Sequence, residues 1–304
     1  MPVALSAIKN ELLPGLFDVR GQYDQIPKQW DKIFKVRSSE MTVETSTQMR
    51  FLALPQFKTE GGATAFDNNA GQRFAWNFVH FEVGLGYAIT RKAVDDNLYK
   101  SNFKPTNLGL QRSFAQFKEI QGANILNNAQ VLDPNIGGDM KPLCAIDHPY
   151  DGGTWANTFG TQVDLNEASL LQVQTTIPQT FVDEAGLRML AQARRLVVPQ
   201  ALQPTAVRLT ETALRPGTAN NDVNAILSTA GGLPDGYVVL NYLTSNQYWY
   251  VTTNIEGLIL MQRKPFEMDM QVDFITDNLL VKGYERYVFG YNDPRAIWGN
   301  FPTS

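Results

Sequence analysis

The sequence predicts an α+β fold, and two patterns carry that prediction. Apolar side chains from Leu110 to Ile120 recur every three or four residues, the spacing of one helix face, which predicts a long helix over 108–130. Between 266 and 274, apolar and polar residues alternate, as in a strand with one buried face. An Asp-Asn turn then leads into a second strand over 279–289. A long helix is thus combined with a β-rich final third.

Residues 1–48 predict an N-terminal arm. Apolar residues at Leu5, Ile8 and Leu12 allow a short helix that ends at Pro14, and the aromatic residues that follow are widely separated. Such a segment covers an existing surface more easily than it builds a core of its own. Two interpretations stay open: the arm lies on a neighbouring molecule, or it folds onto its own chain.

Residues 49–90 predict a long two-stranded ribbon. Glycine and asparagine residues between 61 and 71 favour turns, and Phe74, Trp76 and Phe78 then alternate with other residue types. An isolated two-stranded ribbon is marginally stable in water and needs a surface to lie on. The aromatic rings therefore favour packing against a neighbouring subunit. The alternative is a hairpin inside a sheet of the same chain.

The remaining elements follow from caps, turns and short apolar runs. Thr90 is a candidate N-cap, and Pro105 is expected to end the helix that follows it. Asp164 and Glu167 form a variant of the capping box at the start of another helix. In chain order, the predicted elements are a helix over 91–99, a helix over 164–176, a strand over 196–199, a helix over 202–213, and strands over 237–243 and 247–253.

Residues 284–299 concentrate five aromatic rings and two arginines. This composition is typical of subunit contacts, because rigid rings bury much area and arginine makes forked polar contacts. We therefore expect subunit contacts in two places, the ribbon and this C-terminal stretch. The candidate contact residues are Phe57, Phe66, Phe74, Trp76 and Phe78 in the ribbon, and Arg286, Arg295 and Trp298 near the C-terminus.

Residues that commonly carry catalysis are scarce in this chain. It has two histidines, His80 and His148, and one cysteine, Cys144, which we interpret as a buried apolar residue. No nucleophile elbow, phosphate-binding glycine loop or dinucleotide fingerprint occurs in the sequence. Asp147, His148 and Asp151 lie close together in a loop, which is weak evidence for a metal site. We expect no enzymatic activity, no cofactor and no bound metal.

Net charge and hydropathy indicate which classes of partner the protein is expected to have. The net charge is −4 over 304 residues, with acidic and basic residues interspersed, so no basic face for sequence-specific nucleic-acid binding is expected. A protein that lies against nucleic acid without gripping it fits this composition. No run of about 18 apolar residues occurs, and no charged-then-apolar leader begins the chain, so we expect a soluble, cytoplasmic product that is not exported.

Four stretches carry a resemblance to a known family through their order and spacing. The chain resembles the major capsid (head) proteins of tailed bacteriophages, most closely the Mu-like major head subunit group, over residues 15–300. The stretches are Phe81-Glu-Val-Gly-Leu-Gly-Tyr-Ala-Ile-Thr-Arg91, Leu196-Val-Val-Pro199, Tyr248-Trp-Tyr-Val-Thr-Thr253, and Tyr284-Glu-Arg-Tyr287 through Gly290-Tyr-Asn-Asp-Pro-Arg295.

The resemblance implies the Hong Kong 97-type capsid fold and a function. The protein would be a major capsid protein that self-assembles into pentamers and hexamers, which form the icosahedral head shell around the phage genome. The implied regions are an N-terminal arm (1–48), an extended loop or E-loop (49–90), the spine-helix region of the peripheral P-domain (91–135), and an axial A-domain interleaved with the remaining P-domain strands (136–304).

The resemblance also implies partners and a location. The partners are other copies of the chain, portal, scaffold and decoration proteins, and packaged DNA held without sequence specificity; no membrane is involved. The protein would be part of a virion that is assembled in the host cytoplasm. Three alternatives stay open: an encapsulin-like compartment shell of the same fold, a β-rich α+β enzyme, and a tail or decoration protein.

Overall fold

The computed structural model describes residues 23, 26–95, 99–212, 224, 226–227 and 232–303. The short helix expected at 5–12 lies outside these residues. In chain order, the described elements are β1 (Lys35–Ser38), β2 (Val43–Arg50), β3 (Gly71–Val79), β4 (Phe81–Ile89), α1 (Arg91–Asp95), α2 (Tyr99–Asn127), β5 (His148–Tyr150), β6 (Gly153–Trp155), α3 (Glu167–Thr180), β7 (Ala193–Val198), α4 (Gln203–Thr210), β8 (Tyr237–Val239), β9 (Trp249–Thr253), β10 (Leu258–Val272), β11 (Leu279–Tyr291) and β12 (Ile297–Asn300).

The larger four-stranded sheet, called the long sheet below, has the strand order β1-β10-β11-β4. β10 and β11 form its antiparallel centre, β4 pairs antiparallel with β11, and β1 runs parallel to β10 at the opposite edge. Phe266 on β10 is buried, whereas Glu267 and Asp269 are exposed, which confirms the predicted alternation. One face of the outer part of β10 is therefore packed and the other faces water.

α2 packs across the long sheet. The rings of Phe114 and Phe266 lie with their centroids 4.9 Å apart, inside an apolar cluster between helix and sheet. Lys118 forms an ion pair with Glu285 of β11, and both side chains are buried. The helix is thus fixed to the sheet by apolar contacts and by one buried charge pair.

The smaller four-stranded sheet, called the short sheet below, has the strand order β12-β9-β7-β8. β7 lies antiparallel to β9 and parallel to β8. Leu170, Val173 and Ile177 on α3 are fully buried in the same cluster as Trp249 and Trp298 of this sheet. Their spacing of three and four residues places them on one face of the helix, which covers the sheet.

The ribbon differs from its predicted boundaries. Its strands are β2 and β3, which pair antiparallel from Val43 opposite Val79 to Arg50 opposite Gly71. Residues 81–89, assigned to the ribbon by the sequence, belong to the long sheet instead. The alternation of β3 thus ends at Val79, where the ribbon gives way to the long sheet. We call residues 43–79 the ribbon and residues 51–70 its tip.

Two helix predictions also need correction. A single helix, α2, runs through Pro105, where a break between two helices was expected. A proline inside a helix removes one main-chain hydrogen bond and crowds the preceding turn, a local cost that the packing of the remaining turns on the long sheet outweighs. At α3 the cap is Asn166, not Asp164: Asn166 Oδ1 accepts from Ser169 N at 2.9 Å, and Ser169 Oγ accepts from Asn166 N at 3.0 Å. In the described part of the chain, no helix is long and apolar enough to cross a membrane.

Candidate assembly surface

The inner half of the ribbon is packed on its own subunit. Trp76 is 1% exposed, and the loop at 136–138 lies against it, with Asn77 N donating to Ile136 O at 2.7 Å and Gly138 N donating to Ala75 O at 2.8 Å. Gly138 has a φ of +75°, and a Cβ there would lie 2.2 Å from the Trp76 ring nitrogen. The glycine thus lets the loop close onto the indole.

An ion-pair cluster holds the outer half of the ribbon. Asp151, in the turn between β5 and β6, accepts from Arg50 Nε and from Arg73 Nη1, each at 2.6 Å. Arg50 also pairs with Asp67 of the tip at 3.1 Å. The hydrogen bonds from Arg73 and Arg50 hold the pKa of Asp151 below its ordinary value. Both strands of the ribbon are therefore tied to one carboxylate of the subunit body.

The cluster continues into the interior. Arg73 Nε lies 2.9 Å from Glu184 Oε2, and Arg295 Nη2 lies 2.7 Å from Glu184 Oε1. Arg295 also donates to Val182 O at 2.6 Å and pairs with Asp293 at 3.2 Å. Burial raises the pKa of Glu184, and the hydrogen bond from Arg295 opposes that shift. A buried carboxylate is stable as an anion only with such partners.

The tip of the ribbon is exposed and apolar. It contains no helix and no strand over 51–70, all of which the structure describes. Phe57 is fully exposed and Phe66 is 85% exposed. Contiguous exposed apolar side chains usually mark an interaction site, because water solvates them poorly. The other large exposed side chains of the tip are Phe51, Leu52 and Leu54.

The structure divides the candidate contact residues of the ribbon into two groups. Phe57 and Phe66 lie on the tip and are available to a neighbouring molecule. Trp76 and Phe78 are each 1% exposed and belong to the core of their own subunit, so their assignment as contact residues was wrong. Phe74 is partly buried, with its ring 5.9 Å from that of Trp76. The alternation correctly predicted that these rings are covered, but the surface that covers them belongs to the same subunit.

The candidate contact residues near the C-terminus are also mostly internal. Arg295 and Trp298 are each 1% exposed, so their assignment to a subunit surface was wrong as well. Trp298 packs edge-on against Phe159, with ring centroids 5.0 Å apart. Arg286 is partly exposed and lies 3.4 Å from Glu82 of β4. This stretch closes the core of the subunit rather than presenting a contact surface.

A groove that no sequence pattern indicated lies at the base of the ribbon. It has a volume of about 780 Å³ and lies between α2, β4, β11 and the loop at 131–136. Phe81, Phe117 and Val131 line it and are 67%, 40% and 63% exposed. Phe117 belongs to the apolar stripe from Leu110 to Ile120 that predicted one helix face. Helical spacing alone therefore does not show which side chains of the stripe the sheet covers.

The weak metal cluster suggested by the sequence is not assembled. His148 is fully buried, its Nδ1 lies 2.6 Å from Asp139, and its ring stacks on Trp155. Asp151 points instead into the arginine cluster. Among the described residues, no group of three potential ligands is placed to hold a metal ion. Cys144 is buried, and burial raises the pKa of its thiol.

A comparison with protein families decides the identity. The model of a family described as "Phage capsid protein" matches residues 82–300. The chain belongs to this family. The capsid protein is therefore a structural subunit of the icosahedral shell of a phage virion and not an enzyme. Membership in a capsid family also means that its copies assemble with one another into a multimeric shell.

Solved structures show the same fold at low sequence identity. The capsid protein is similar to the capsid of a native GTA particle (14% identity, TM-score 0.53, 90% of each chain covered). It is similar to a virus-like particle from Pyrococcus furiosus (11%, 0.55, 96% of this chain and 100% of the other) and to the mature capsid of bacteriophage PhiM1 (11%, 0.53, 91% and 88%). The predicted Hong Kong 97-type fold is confirmed. No curated protein matches the sequence.

Proposed function

We propose that this capsid protein is the major head subunit of a tailed phage, that it forms rings of five and six copies, and that the ribbon tip contacts a neighbouring copy in those rings. One observation carries the proposal. The strands of the ribbon are anchored to their own subunit, the inner half through Trp76 in the core and the outer half through Asp151, whereas Phe57 and Phe66 at the tip are exposed. A rigid arm with an uncovered apolar end suits a contact with a second molecule.

The proposed contact joins different surfaces of the two copies. A tip that projects from one subunit meets the body of the next, which is a heterologous contact, and such contacts close into rings when the rotation between copies allows it. In this arrangement the ribbon is the extended loop, α2 is the spine helix, the long sheet belongs to the P-domain and the short sheet to the A-domain. The extended loop then spans 43–79 rather than 49–90.

The proposed partners beyond other copies are portal, scaffold and decoration proteins, together with packaged DNA. A net charge of −4 favours DNA that is enclosed but not bound by sequence. The nature of the cargo separates a phage head from a compartment shell of the same fold. Purified shells of a phage head should contain nucleic acid, and shells of a compartment should contain protein.

The test replaces the two exposed tip rings. The double variant Phe57→Ser and Phe66→Ser should lower the assembled fraction by about tenfold or more, because loss of an aromatic interface anchor commonly costs over 1 kcal/mol. The thermal midpoint of the unassembled subunit should hardly change, since both rings are already in water. Assembly is measured by sedimentation and by negative-stain microscopy of the purified protein.

A matched control is available in Leu190→Ser. Leu190 is 91% exposed, so the change removes a comparable apolar side chain, and it is not part of the tip but of the segment between α3 and β7. This variant should assemble like the original protein. Normal shells from the tip variant would refute the proposed contact. An equal loss of assembly in both variants would also refute it, because removal of any exposed apolar side chain would then lower the assembled fraction.

A further inference from the structure

The junction between the ribbon and the long sheet contains a buried histidine. His80 is the single residue between β3 and β4, and it is 7% exposed. Its Nε2 lies 2.6 Å from Oγ of Ser39, the residue that follows β1. Ser39 Oγ in turn lies 2.8 Å from Oε1 of Glu44 in β2. The three side chains thus connect both strands of the ribbon to the edge of the long sheet.

The hydrogen-bond partners fix where the protons lie. Glu44 Oε1 accepts from the backbone N–H groups of Glu40 and Met41, both at 3.1 Å, so it is an ionised acceptor. The bond from Ser39, followed by those backbone bonds, holds the pKa of Glu44 below its ordinary value. Ser39 has one hydroxyl proton and donates it to this carboxylate. His80 must therefore donate to Ser39 through Nε2–H, which leaves its Nδ1 without a proton.

His80 Nδ1 is buried and has no hydrogen-bond partner among the described residues. A second proton on the ring would sit on this atom with no acceptor, which is costly in a buried site. The charges that face the ring are Glu44 from β2, Arg263 from β10 and Arg286 from β11, and Arg286 also pairs with Glu82 of β4. Arg286 and Arg263 further disfavour a cationic ring, and Glu44 opposes them.

We propose that His80 is a proton-operated joint: uptake of a proton on Nδ1 breaks the His80–Ser39–Glu44 connection and frees the ribbon from the long sheet. The closed joint favours the neutral ring, because the Nε2–H tautomer is the one form in which every ring N–H has an acceptor. The open joint exposes the ring to water, where either charge state is solvated. Acidification therefore favours opening.

The sign and the pH window follow from linkage. Burial, together with Arg286 and Arg263, lowers the pKa of His80 in the closed state. An exposed histidine titrates near about 6.5. The closed joint is thus fully favoured above that pH and loses stability as the pH falls below it, by up to about tenfold in the opening equilibrium per pH unit, until the closed-state pKa is reached.

The experiment compares hydrogen exchange of ribbon amides in the original protein and in His80→Gln, on unassembled subunit. The glutamine amide can still donate to Ser39 but cannot titrate. Between pH 7.5 and pH 5.5, protection of residues 43–50 and 71–79, corrected for intrinsic rates and referred to β9, should fall by about threefold or more in the original protein. In His80→Gln it should be independent of pH. An equal fall in both proteins, or no fall in either, would refute the joint.

A second measurement needs no variant that might misfold. The chain has only two histidines, so nitrogen-15 imidazole spectra of the original protein resolve both, and His148 provides the internal reference. At neutral pH, His80 should show the Nε2–H tautomer. An Nδ1–H tautomer, or a doubly protonated ring with the ribbon still protected at pH 5.5, would overturn the proposal.

Discussion

Replacing Trp76 by alanine tests whether the ribbon belongs to its own subunit. The ring is 1% exposed, it lies edge-on to Phe74, and the backbone of Gly138 closes against it. Removing it leaves a cavity that this glycine loop cannot fill without losing its hydrogen bonds to β3. Tryptophan-to-alanine changes at such sites cost roughly 3–5 kcal/mol. We expect the unassembled subunit to be destabilised by an amount in this range.

The assay is thermal unfolding of the unassembled fraction, separated by size exclusion and followed by circular dichroism. A loss of 3–5 kcal/mol should lower the midpoint by roughly 5–8 °C in a chain of 304 residues. The tip variant Phe57→Ala is the comparison and should leave the midpoint unchanged, because its ring is in water. The reasoning fails if Trp76→Ala keeps its midpoint and yet cannot assemble, since the ring would then serve a neighbouring copy.

Two further variants test the charged contacts that fix the ribbon and α2. Asp151→Asn should free the outer half of the ribbon and speed proteolysis within 51–70 at neutral pH. The original protein should reach the same state only as the pH falls below the ordinary carboxyl value of about 3.9 and through the lower pKa of folded Asp151; equal cleavage rates at neutral pH would count against this role. Lys118→Met leaves the buried Glu285 without its ion-pair partner and should cost roughly 3–5 kcal/mol in urea unfolding, whereas adding Glu285→Leu should recover much of that loss. No recovery in the double variant would contradict the pairing.

Sequence patterns predicted elements well where a single period governs the burial. The strand that contains Phe266, Glu267 and Asp269 was found because its alternation reports directly which side chains face water. The long helix was found for the same reason, although Pro105 suggested a break. Whether an interior proline breaks a helix depends on how firmly the turns around it are packed, and no local pattern revealed that packing.

Sequence patterns could not say which surface covers a buried face. Trp76 and Phe78 alternate as a half-buried strand should, but the pattern is the same whether the covering surface belongs to the same chain or to another. The answer lies in Gly138 and the ion pairs of Asp151, which are 60 or more positions away in sequence. Arg295 is similar: arginine is common at interfaces, and only the partners Glu184 and Val182 show that here it is internal.

The parallel pairing of β1 with β10 has a consequence for synthesis of the protein. β1 ends at Ser38, whereas its partner β10 begins at Leu258. Likewise, β4 ends at Ile89 and its partner β11 begins at Leu279. β1 and β4, unlike β2 and β3, therefore have no pairing strand until nearly the whole polypeptide has been synthesised. Long-range pairing of this kind delays folding. A nascent chain lacks the completed subunit body against which the ribbon packs, so we expect shell assembly to begin only with full-length, folded subunits.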